Sequence, residues 1–108
     1  MVMEQVITKK VEPEEVHERV AAGAVLVDVR EHDYYSRFHL PEAINISVRA
    51  INLQAPDVLT DRDQEIICYC NGGTRGPRAA KALMELGYRN VAVLEGGLRR
   101  YMSMFEGQ

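Results

Sequence analysis

The chain has no tryptophan, only two cysteines and only four prolines in 108 residues. Two cysteines exclude a disulfide-dense scaffold. No apolar run approaches the ~20 residues of a membrane span, and residues 1–10 lack the apolar stretch of a signal peptide. From these absences a cytoplasmic location is expected. There is no block of like charge. The formal net charge is −3, so non-specific binding to nucleic acid or to an anionic membrane is not expected. The three histidines have no metal-ligand spacing with the cysteines, and no cofactor is expected. With no repeat, low-complexity tract or linker, residues 1–108 read as a single domain.

What is present is an alternation of strand and helix signals. Gln5–Ile7 reads as a short first strand. A helix follows from Pro13, with Val16 and Val20 on one face and Gly23 past its end. Ala24–Val27 is a continuous apolar run, as in a parallel strand covered on both faces. Asp33 is placed to cap a short helix through Phe38, and Ala43–Ile46 reads as a short strand. Val48, Ile51, Ala55 and Leu59 suggest an amphipathic helix interrupted by Pro56. Ile66–Tyr69 and Val91–Leu94 are further strands, followed by helices from Pro77 and over Leu98–Phe105. This order predicts a three-layer α/β/α sandwich around a mainly parallel sheet.

The stretch Ile66–Ala80 carries the chemistry. A β-rich apolar run ends at Tyr69, and a thiol follows at Cys70. Asn71–Gly76 then holds three glycines before a helix starts. A helix start has unpaired N–H groups and a partial positive charge. Glycines let successive N–H groups converge into an anion-binding nest. A thiol facing such a nest is favoured as the nucleophilic thiolate, and Arg75 adds a full charge. Cys70 is therefore the candidate nucleophile, and Cys68, inside the apolar run, is a buried structural residue. Strand alternation is taken to turn the two cysteines to opposite faces, so that they do not bridge. Asp28 and Arg30 end their strand at the edge where Cys70 ends its own, and are expected to brace the loop. His39 reads as structural.

Cys70-Asn71-Gly72-Gly73-Thr74-Arg75, followed by Ala79-Ala80 and Leu83, resembles the active-site loop and helix of the rhodanese (thiosulfate sulfurtransferase) family. Three other stretches resemble that family in the right order: Leu26-Val27-Asp28-Val29-Arg30-Glu31, His39-Leu40-Pro41-Glu42-Ala43-Ile44-Asn45, and Leu94-Glu95-Gly96-Gly97. The resemblance implies a five-stranded sheet and a persulfide on Cys70. The sulfur would come from thiosulfate or another persulfide donor and pass to cyanide or a thiol, a protein thiol included. Asn71, Gly72, Gly73, Thr74 and Arg75 would hold the donor anion, and no metal is needed. The alternative is a rhodanese-like module for binding, redox sensing or sulfur relay without turnover. Cys-dependent phosphatases place an arginine six positions after the cysteine. Here Arg75 is five after Cys70, and phosphate-ester hydrolysis ranks far below sulfur transfer. Gly76 replaces a usual serine and Pro77 removes an N–H, which weakens the anion site by a donor or two. Phe38, Glu42 and Tyr101 are further departures.

Overall fold

Ile66–Tyr69 (β4) and Val91–Leu94 (β5) are buried at every position, the pattern of strands covered on both faces. A computed structural model describes residues 8–105. The other strands are Lys9–Val11 (β1), Val25–Asp28 (β2) and Ile44–Asn45 (β3). The helices are Pro13–Ala21 (α1), His32–Arg37 (α2), Ile51–Val58 (α3), Arg75–Glu85 (α4) and Gly97–Phe105 (α5), with a 3-10 turn at Val48–Ala50. The sheet order is β1-β5-β4-β2-β3, and every neighbouring pair is parallel. One face is closed by α3 and α4 through Ile51, Ala55, Ala80 and Leu83. The other is closed by α1 and α5 through Val16 and Leu98. The three-layer sandwich and the five strands are as expected from the sequence.

Several details differ. The expected strand at Gln5–Ile7 lies outside the described residues, and the first strand seen is β1. Glu31, not Asp33, precedes α2, and Asp33 sits in its first turn. Pro56 does not interrupt its helix, because α3 runs through it to Val58. The proline removes the N–H that would bond the carbonyl of Asn52, but Asn52 is exposed and water can serve that oxygen. Helix α4 begins at Arg75 rather than Pro77.

The expectation that the two cysteines face opposite ways was wrong. Residues two apart along a strand share a face, and Cys68 and Cys70 lie in the same core cluster. Both are free thiols. They differ in surroundings: burial pushes the Cys68 thiol up to about 12, so it stays protonated across the neutral range. Burial also raises the Tyr69 phenol. Both groups hold their protons in the fold above the pH at which the unfolded chain releases them, so stability declines as pH rises through that window. Urea midpoints should fall from about pH 8 to about pH 11. Cys68→Ala should flatten part of that slope, and an unchanged slope would place the alkaline sensitivity elsewhere.

Candidate active site

Strand β4 delivers Cys70 to the carboxyl edge of the sheet, where the chain leaves the ladder and curls through Asn71–Thr74 into α4. The Cys70 side chain sits inside this curl, and the residue is only 2% exposed. Its Sγ accepts the N–H of Gly73 at 3.2 Å and of Arg75 at 3.3 Å. Gly73 has φ +97°, a conformation that a side chain would strain. The N–H of Arg75 is the first of α4, so the sulfur lies at the positive end of an 11-residue helix. Two convergent donors and a helix start stabilise negative charge on one sulfur atom.

Two supports hold the curl. The first is the turn into α5. Leu98 donates its N–H to the Cys70 carbonyl at 2.7 Å, and Arg99 donates to the Asn71 carbonyl at 2.9 Å. These bonds require close approach at Gly97, which has φ +67°. A Cβ there would lie 2.6 Å from the Asn71 oxygen and 2.7 Å from that of Cys70. Gly97→Ala should therefore cost about 2–4 kcal/mol from backbone strain and the steric conflict together. At Gly23, which also has a positive φ of +111°, an added Cβ meets nothing within 4 Å. Thermal unfolding should accordingly show a clearly larger loss for Gly97→Ala than for Gly23→Ala, and equal losses would discount the carbonyl contacts.

The second support is Arg30. It is 4% exposed and Asp28 is fully buried. Its Nε donates to Asp28 Oδ1 at 3.0 Å, and its Nη2 donates to Oδ2 at 2.7 Å. Nη2 also donates to the Phe38 carbonyl at 2.6 Å, and Nη1 donates to Asn71 Oδ1 at 3.2 Å. The hydrogen bond with Asp28 raises the Arg30 pKa further. The buried pair thus reaches from β2 to the loop, which a surface ion pair would not do. Asn45 completes the support, donating its amide to the carbonyls of Asp28 and Arg30, both at 2.9 Å.

The residues expected to bind substrate are placed unequally. The N–H groups of Gly73 and Arg75 converge on the sulfur. Asn71 instead uses its side chain to receive Arg30. Gly72, Thr74 and Arg75 are exposed, and Thr74 makes no side-chain cap. Gly76 has a steric reason: a Cβ would come within 2.9 Å of Val93 Cγ1, so a serine would press α4 away from β5. Beside the opening, Glu31 accepts from Arg49 at 2.9 Å and Ser47 at 3.2 Å. The Arg49 hydrogen bond is the main cause that lowers its pKa, with a smaller contribution from the charge of Arg75. Sequence reasoning did not single out Asn45, although it stood in a stretch that resembled the family, and read Gly96-Gly97 only as letting the chain turn closely at this edge. Nor did it single out Arg99, whose Nη1 would lie 3.5 Å from a Cβ on Gly72. A cavity of about 150 Å³ touches Gly72, Gly73 and Pro77, but Cys70 does not line it. Among the described residues no cluster of three His, Cys, Asp or Glu side chains is placed to hold a metal.

Comparison with known proteins adds relatives to this geometry. The model of the rhodanese-like domain matches residues 12–104. A tRNA uridine(34) hydroxylase of Erwinia tasmaniensis is 38% identical over 82 residues, covering 72% of this chain and 23% of that protein. This chain spans about a quarter of the length of such curated relatives. A thiosulfate sulfurtransferase from Pseudomonas aeruginosa superposes with a TM-score of 0.82 at 30% identity, covering 89% of this chain and 19% of that one. A human single-domain sulfurtransferase gives 0.78 at 26% identity, covering 89% of this chain and 96% of that one.

Proposed function

The chain belongs to the family of rhodanese-like domains, and from that premise we propose that it is a sulfurtransferase working through a persulfide on Cys70. The observation that carries this reading is the pair of N–H groups, from Gly73 and Arg75, directed at Cys70 Sγ. In the first step the Cys70 thiolate attacks the outer sulfur of thiosulfate or of a persulfide donor. The sulfur–sulfur bond of the donor breaks, and its electron pair leaves with sulfite or with the donor thiolate. The outer sulfur remains on Cys70 as an anionic persulfide. In the second step cyanide or a thiolate attacks that sulfur and Cys70 departs as thiolate. This is covalent catalysis with ping-pong kinetics. The loop donors favour the anionic sulfur at each stage.

Arg75 has two separable parts in this scheme. Its N–H faces the sulfur, while its exposed guanidinium attracts an anionic donor. Arg75→Ala keeps the first and removes the second. KM for thiosulfate should rise about tenfold with kcat largely retained. Steady-state kinetics at low ionic strength would check this, and an unchanged KM would remove the guanidinium from donor binding.

The reading itself is tested by intact mass after incubation with thiosulfate or a small persulfide. One added sulfur atom, lost on reduction and absent in Cys70→Ser, is the expected result. No added sulfur from either donor would leave the non-turnover module as the better account. Hydroxylation of tRNA is not proposed for this chain, because it matches only about a quarter of those relatives' length.

A further inference from the structure

Most cations of this protein are engaged locally. Lys10 pairs with Glu95, Arg19 with Glu15 and Glu65, Arg30 with Asp28, Arg49 with Glu31, Arg89 with Asp63 and Arg100 with Glu12. Lys9 donates to Asn90, Arg37 lies over the Tyr34 ring, and Arg62 over the Tyr88 ring. Among the described residues, only Arg75, Arg78, Lys81 and Arg99 have no such partner, and all four are exposed. They are not scattered. Arg75, Arg78 and Lys81 follow one another at three-residue spacing along α4, a stripe of about 9 Å that begins at the N–H facing Cys70 Sγ. Arg99, on α5, lies beside Gly72 of the loop that holds Cys70. Glu85 closes the far end of the stripe. Glu31, which feels the Arg75 charge, is itself bonded to Arg49. A protein of net charge −3 thus keeps its uncompensated positive charge around the one sulfur loop.

We propose that this face is a docking surface for an acidic protein that presents an acceptor thiol to Cys70. The proposal rests on the sulfur-transfer reading above and specifies its acceptor. Cys70 is 2% exposed, so an acceptor must be aimed at the opening, and a ring of unpaired cations can steer and orient it. Four cations match a local patch of carboxylates. They fall short of the roughly six to ten phosphate contacts that carry strong nucleic-acid binding, and the acidic remainder of the surface opposes a long polyanion. In the transfer step the acceptor thiol loses its proton to solvent and attacks the outer sulfur. The bond between the two sulfurs breaks, and Cys70 is released as thiolate. The acceptor leaves as a persulfide, with no net oxidation.

The test separates docking from chemistry. A fluorescent peptide with a serine flanked by aspartates and glutamates should bind the wild-type protein, with anisotropy lost on adding salt. The double variant Arg78→Glu, Lys81→Glu, which spares Arg75, should weaken that binding at least about tenfold. A lysine-rich peptide should not bind. With cysteine in place of the serine, transfer from preloaded Cys70 should slow comparably in the double variant, while transfer to neutral dithiothreitol should not change. Equal binding by both proteins would overturn the proposal, as would a single-stranded oligonucleotide of the same charge displacing the peptide more effectively than the peptide itself. Failure of the sulfurtransferase reading would appear separately, as no sulfur on Cys70, because the serine peptide needs none.

Discussion

Cys70→Ser is expected to reduce sulfur transfer by at least about a thousandfold while the domain stays folded. A serine hydroxyl at neutral pH is almost entirely protonated and cannot carry a persulfide, so the covalent route closes. The fold should tolerate the change. The hydroxyl is close in size to the thiol, and the N–H groups of Gly73 and Arg75 that now face Sγ still have an oxygen to meet. Cys68→Ser provides the contrast. It places a hydroxyl among Val27, Ile66 and other core side chains, where an unsatisfied polar group costs about 1–3 kcal/mol. Its folded fraction should nevertheless retain most of the activity. Parallel measurement of transfer to cyanide, bound sulfur by mass and thermal unfolding would check both variants. Equal loss of transfer in the two would mean that the nucleophile is misassigned or that Cys68 shares the reaction.

Asp28→Ala is expected to be the most damaging single change to the fold. It leaves the Arg30 guanidinium buried without its carboxylate, at a cost of about 3–5 kcal/mol. That is a large fraction of the roughly 5–15 kcal/mol that keeps a domain folded, so the thermal midpoint should fall by well over 10 °C. A second variant separates stability from bracing. Adding Arg30→Met removes the orphaned charge, and the double variant should regain much of the lost stability. It cannot regain the 3.2 Å contact to Asn71, so its kcat for sulfur transfer should remain several-fold low. Full recovery of activity along with stability would show that Arg30 serves the fold alone.

The legible parts of this protein were those in which a local pattern has one reading. Val91–Leu94 is too short, too apolar and too bounded by turn residues to be anything but a covered strand. Cys70 followed by a glycine-rich turn, a cation and an apolar helix marks a thiol at a helix start. Less legible were features in which neighbours outvote local preference. Pro56 stays inside α3 because Ile51 and Ala55 anchor the helix on the sheet, which local propensity does not include. The cysteine orientation was misread from a rule of spacing that applies the other way.

From the sequence alone followed the alternation of strand and helix, the three-layer class, the candidate nucleophile Cys70 and the expectation that Asp28 and Arg30 stand at its edge. Each depends on interactions within a few residues, or on a periodicity that the chain carries along itself. Only the tertiary structure decided which donors meet the sulfur, that Asn71 receives Arg30 rather than facing the opening, and that Gly97 lies against the carbonyls of Cys70 and Asn71. It alone brought Arg99 beside the loop from which Arg75, Arg78 and Lys81 run along α4. Apart from the donors within the loop itself, these are contacts between segments far apart in the chain, and parallel strands bring their carboxyl ends to one edge only once the sheet has formed.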